Sequence, residues 1–149
     1  MQVTHATRND IPELCELLDL LFTQEAEFQP DRAAQTRGLM QIIDNPEVGR
    51  ILIARQGSDI VGMVNLLFTV STALGARVAL LEDMVVHSEF RGSGIGSALL
   101  QYAIAFARSV GCQRITLLTD RTNVLAQRFY QRHGFVLSEM IPLRLSLTE

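Results

Sequence analysis

An apolar strand-like run ends near residue 86 and an apolar helix-like run begins near residue 95; between them lies Arg91-Gly92-Ser93-Gly94-Ile95-Gly96-Ser97. Three glycines at alternate positions let the chain turn sharply out of a strand and into a helix. Such a turn leaves several main-chain N–H groups without partners at the positive end of the helix dipole. That arrangement suits phosphate oxygens. Arg91 adds a fixed charge and a planar donor fork at the lip of the turn.

The pattern restricts which phosphate ligand is meant. A dinucleotide turn requires G-x-G-x-x-G early in the fold and an acid about 20 residues further on. Here the third glycine position holds Ser97, and the residues near 117 are leucines. A nucleoside-triphosphate loop requires lysine. All 13 basic residues of this chain are arginine, so that loop is excluded.

The flanking elements read as one compact unit of 149 residues, long enough to bury roughly 70% of its unfolded surface. A strand is expected at Gln2–Ala6 and a helix opening at Asp10, with Asp10 and Glu13 as a capping box and Leu14, Leu17, Leu18 and Leu21 as its apolar stripe. A loop from Phe22 to Pro30 and a second helix from Asp31 to Ile43 follow. Three strands come next, Gly49–Arg55, Ile60–Val70 and Arg77–His87, as an antiparallel meander. A helix from Ile95 to Val110 ends at Gly111, and then come a strand at Ile115–Thr119, a helix at Val124–Arg132, and final strands at Phe135–Leu137 and Met140–Leu147. This order implies an α/β (α+β) single domain: a mixed, mostly antiparallel sheet with helices on both faces.

The longest uncharged stretch, Ile60 to Ala76, is 17 residues and carries several polar side chains, which suits buried strands better than a membrane span. The N-terminus lacks the layout of a signal peptide. Cys15 and Cys112 have no metal-type spacing and read as reduced core thiols, so a cytoplasmic protein is expected. His87 and His133 also lack metal spacing and read as surface or loop residues, with no metal expected. Net charge is −3, with nine acids and four arginines in residues 1–50 but two acids and six arginines in residues 88–132. An acidic protein is a poor partner for nucleic acid. A basic half suits a small polyanion and an acidic half a cationic substrate, although ordinary surface scatter explains the same numbers.

Arg91, Gly94 and Gly96 fill the pattern [RQ]-x-x-G-x-[GA]. Together with the preceding Leu80-Leu81-Glu82-Asp83-Met84-Val85-Val86, with Asn123, and with Tyr130-Gln131-Arg132-His133-Gly134-Phe135, this chain resembles the GCN5-related N-acetyltransferase (GNAT) superfamily. The resemblance implies acetyl-CoA as cosubstrate, its pyrophosphate on the amides of Gly92, Ser93, Gly94, Ile95, Gly96 and Ser97 beside Arg91. Its pantetheine arm would lie in a slot where two strands splay, pairing with backbone of Met84, Val85 and Val86, and an N–H near Val85 would hold the thioester oxygen. Asn123 would reach the arm from the far wall, and is equally placed to cap the following helix.

The implied chemistry is direct attack of an amine on the thioester. Adjacent strand residues face opposite ways, so one of Glu82 and Asp83 should meet the cleft. By the resemblance Glu82 aligns with the usual proton acceptor, Asp83 is the alternative, and Tyr130 matches the usual acid that protonates the leaving sulfur. Glu25 and Glu27 stand where such enzymes admit their acceptor, as amine attractors or plain solvated charges. The acceptor is a primary amine of a small molecule, polyamine-like on a weak hint from Leu81-Glu82-Asp83, or of a peptide. Exposed sheet edges give a route to a homodimer. The competing reading is a non-catalytic acyl-CoA-binding or sensing module on the same fold; it would need neither Tyr130 nor Glu82.

Overall fold

Residues 1–25 and 28–148 are described by a computed structural model. Strands β1 (Gln2–His5), β2 (Gly49–Gln56), β3 (Asp59–Ser71), β4 (Ala76–Val86) and β5 (Ile115–Leu117) form one sheet in sequential order. The first four are antiparallel, and β5 lies parallel to β4. The crossover from β4 to β5 runs through helix α3 (Ile95–Ser109). Helices α1 (Ile11–Gln24) and α2 (Arg32–Ile43) cover one face, against Ile51, Ile53 and Met63; α3 covers the other, against Leu52, Ala54 and Val64. Burial on both faces explains why β3 reads as a near-continuous apolar run from Ile60 to Leu66 rather than an alternating one. Helix α4 (Val124–Arg132) packs its Phe129 and Tyr130 on the α3 side. Among the described residues no helix is long and apolar enough to cross a membrane.

The α1–α2 pair is tied by polar side chains. Gln35 accepts from Asp31 N–H at 2.7 Å and donates to the Cys15 carbonyl at 3.3 Å and to Asp19 at 3.0 Å. Asp31 caps α2 by accepting from Ala34 N–H at 3.1 Å. Both cysteines are buried free thiols.

Four expectations change. The capping box sits one turn earlier: Thr7 N–H donates to Asp10 at 2.8 Å, Asp10 also pairs with Arg55 at 2.7 Å, and Glu13 instead accepts from Ile60 N–H. A carboxylate claimed by a neighbouring guanidinium is no longer available to cap its own helix. Helix α1 continues through Phe22 to Gln24, so the expected loop starts later. Strand β5 stops at Leu117, two residues short. The expected last strands at Phe135–Leu137 and Met140–Leu147 do not form; residues 136–148 carry no strand pairing, and Val136, Leu143 and Leu147 are 87–91% exposed. Pro142 lacks the N–H a ladder needs, which interrupts the longer of the two segments.

Candidate active site

The glycine turn has the geometry its sequence implies. Gly92 and Gly94 have φ of +80° and +85°, values that side-chain-bearing residues rarely adopt. Gly96 is needed for space: a Cβ there would meet the Phe129 ring at 3.5 Å and Val86 at 3.7 Å. Helix α3 starts at Ile95, and its first internal bond is Ala98 N–H to the Gly94 carbonyl. Among the described residues the N–H groups of residues 92–97 have no acceptor. Six adjacent bare donors at a helix N-terminus form a cradle for an anion. Arg91 is exposed and lies across the turn, its Nε donating to the Val86 carbonyl at 3.2 Å.

A slot runs back from this cradle. Pairing of β4 with β5 ends at Leu81–Leu117, so among the described residues β4 from Glu82 to Val86 has no strand partner on that side. His87 N–H donates to the Val61 carbonyl at 2.7 Å, while Val86 stands opposite Gly62 and Val85 opposite Met63. Antiparallel alternation then turns the peptide groups of Met84 and Val86 into the slot and those of Val85 toward β3. The free N–H groups are therefore those flanking Val85, not its own.

The two acids do not separate to opposite faces. Glu82 pairs with Asn65 and Val85 with Met63, so two residues of β4, Asp83 and Met84, oppose the single Val64. This is a β-bulge, with Asp83 at φ 54° in the left-handed region. The bulge turns Asp83 onto Asn65, whose Nδ2 donates to Asp83 Oδ2 at 2.5 Å. Both residues line a cavity of about 260 Å³ under α1 and α2, otherwise walled mainly by Leu18, Phe22, Phe28, Leu39 and Ile42. Glu82 is exposed and does not line it. Burial, reinforced by the charges of Glu82 and Glu25 against the Asn65 hydrogen bond, pushes the Asp83 carboxyl up to about 6. Glu25 thus acts on the cavity through its charge, while Glu27 lies outside the described residues.

Helix α4 closes the far side. Asn123 caps it, accepting from Ala126 N–H at 3.1 Å, and remains exposed. Tyr130 is wedged edge-on between Phe129 and Phe135, with ring centroids at 5.3 and 5.6 Å. Burial raises its phenol to about 12. His133 is not a loose surface residue: its Nε2 meets Ser97 Oγ at 3.1 Å and its ring packs on Phe129, pinning α4 to the start of α3. His87 accepts from Glu89 N–H at 3.2 Å and caps the short turn before the cradle. Among the described residues no cluster of His, Cys, Asp or Glu is placed to hold a metal ion.

Residues 11–135, which span cradle, slot and α4, match a family model, the Acetyltransferase (GNAT) family. The chain belongs to the GNAT acetyltransferase family. It is 30% identical to the aminoalkylphosphonate N-acetyltransferase of Salmonella typhimurium, over 90% of this chain and 84% of that one. It is 31% identical to the uncharacterized N-acetyltransferase YhfO of Bacillus subtilis, over 77% and 78% of the two chains. Among solved structures, the integron cassette protein HFX_CASS3 from the Cole Harbour salt marsh metagenome superposes with a TM-score of 0.86 at 28% identity, covering 99% of this chain and 91% of that one. The protein is accordingly an acyltransferase, and GNAT acetyltransferases transfer acetyl groups to amines.

In this GNAT chain one cavity residue escaped the motif reading. Asn65 is 2% exposed, and its Oδ1 is buried without a hydrogen-bond partner. The only trace in the sequence is a lone amide inside the apolar run from Ile60 to Phe68. A polar residue at the centre of a strand buried on both faces is the signal that would have found it.

Proposed function

We propose that this GNAT enzyme uses acetyl-CoA and acetylates the primary amine of a small molecule or peptide that enters the α1–α2 cavity, with Asp83 taking the amine's proton and Tyr130 serving the leaving sulfur. The observation that carries this reading is the bulge. It places a carboxylate of raised pKa in an apolar cavity, on the strand whose free peptide edge forms the slot. The bare N–H groups of residues 92–97, with Arg91 beside them, would hold the pyrophosphate. Peptide groups of Met84 and Val86 would pair with the pantetheine amides, and one of their N–H groups would hold the thioester oxygen as negative charge develops. Asn123, exposed at the head of α4, would add a contact from the opposite wall.

Acetyl-CoA supplies the activated acetyl group. An alkyl ammonium has an ordinary pKa near 10.4 and must lose a proton before its nitrogen can attack. The apolar cavity helps from both sides, because burial lowers the ammonium's pKa and has raised that of Asp83. Asp83 takes the ammonium's proton, the nitrogen bonds to the carbonyl carbon, the carbon–sulfur bond breaks, and the nitrogen sheds a second proton that, through solvent, restores the one Tyr130 gives to sulfur. Tyr130, kept protonated by its burial, donates to the departing sulfur. Glu82, exposed beside Asp83, keeps the local potential negative. A pure acyl-CoA-binding module requires neither the cavity nor a tuned acid, and the curated relatives carry the names of N-acetyltransferases.

A panel of primary amines, assayed with acetyl-CoA for release of free CoA thiol, tests the reading. At least one amine is expected to be turned over. No thiol release above acetyl-CoA hydrolysis with any amine or amino-terminal peptide would defeat it.

A further inference from the structure

We infer that the cavity selects a primary amine on an apolar body that bears no anionic group, with its nitrogen held jointly by Asp83 and the Asn65 Oδ1; this rests on the acetyl-transfer reading above. Donation from Asn65 Nδ2 to the Asp83 carboxylate fixes the amide's orientation, so its oxygen is the atom left over. That oxygen is buried and unpartnered, a costly state for a polar atom. A carboxylate and an amide oxygen side by side are two acceptors. The group that satisfies both is one with at least two N–H donors, which a primary amine has and a hydroxyl lacks. Elsewhere the wall offers apolar surface, apart from Gln29, Asp31 and Gln35, none of which carries a positive charge. Gln35 is engaged with Asp31, Cys15 and Asp19, and Asp31 caps α2. Among the described residues no arginine or histidine lines the cavity, while Asp31 and Asp83 both do. A phosphonate or carboxylate on the acceptor would therefore be buried against acids with no counter-charge.

The test compares amines matched in length: butylamine and 2-phenylethylamine against 2-aminoethylphosphonate and β-alanine. The neutral-bodied amines should exceed the anionic ones by ~100-fold or more in kcat/KM. Gly38 lines the cavity, and a Cβ there would meet nothing within 4 Å. Gly38→Leu should fill that space and raise KM for 2-phenylethylamine by ~10-fold while sparing methylamine. Asn65→Leu, close in shape, should raise KM for the amine while leaving KM for acetyl-CoA unchanged. Equal or better turnover of the anionic amines would overturn the selectivity while leaving acetyl transfer intact. Indifference of both variants would move the acceptor out of this cavity. Failure of every amine would instead sink the function itself.

Discussion

Asp83→Asn should lower kcat/KM for the amine by ~10²–10⁴-fold, the range for a lost general base, and should at the same time make the protein more stable at neutral pH. Asparagine keeps the shape, tolerates the left-handed backbone at φ 54°, and can still hydrogen-bond Asn65. What it lacks is a site for the proton. The stability gain follows from the direction of the shift. The carboxyl titrates at about 6 in the folded protein against 3.8 ordinarily, so the folded state binds its proton more tightly than the unfolded chain does. That advantage is complete below the ordinary carboxyl pKa and is lost as pH rises through about 6. Above that pH the wild type holds a buried charge that the variant does not, a difference of roughly 3 kcal/mol for a carboxyl raised from 3.8 to about 6. Urea titrations at pH 8 should show the variant gaining stability, and the two proteins should converge toward pH 4. In the wild type, log kcat/KM should rise with pH and bend near 6, and the bend should vanish in Asp83→Asn. A variant of wild-type rate, or one that keeps the bend, would move the base to Glu82 or to water.

Gly94→Glu should remove acetyl-CoA binding. The wild type is expected to gain ~2.7 kcal/mol of stability at a ligand concentration of 100 Kd, read as a rise in Tm with acetyl-CoA concentration. The variant should show no rise. At φ +85° any side chain strains the turn, although a Cβ there meets nothing within 4 Å, so the cost to the fold itself is ~1–2 kcal/mol. The larger damage is electrostatic. A carboxylate tethered among the bare N–H groups of residues 92–97 would occupy the donors meant for phosphate and repel the ligand's charge. Gly94→Ala separates the two effects: strain without charge, hence weakened rather than abolished binding. A full thermal response in Gly94→Glu would place the diphosphate elsewhere.

The parts of this site that were legible in the sequence are those built by near neighbours. The cradle is one contiguous turn, and positive φ at Gly92 and Gly94 is a local demand that only certain residues meet. Helices α1, α2 and α3 announce themselves by spacing and stops, and β2 to β4 by turns between apolar runs. Asn123 as a cap is likewise local. Errors arose where a side chain had a distant partner. Asp10 reads as a helix cap until Arg55 reaches it. His133 reads as surface until α4 folds against Ser97. Residues 136–147 read as strands, but a strand needs a neighbour, and the described chain supplies none.

The same division separates ligand chemistry from proton chemistry. By itself the sequence determined a run of bare amides at residues 92–97, suited to phosphate oxygens, because such a run depends only on the order of glycines before a helix. It also placed two acids side by side at 82 and 83. Only the tertiary structure decided which of them lines the cavity, and with what pKa. Alternation along one strand would have set them on opposite faces; a register slip against β3 placed Asp83 on Asn65, 18 residues away in the chain. Burial under α1 and α2 then moved its titration to about 6. Register and burial depend on elements far apart in sequence, and no local pattern encodes them.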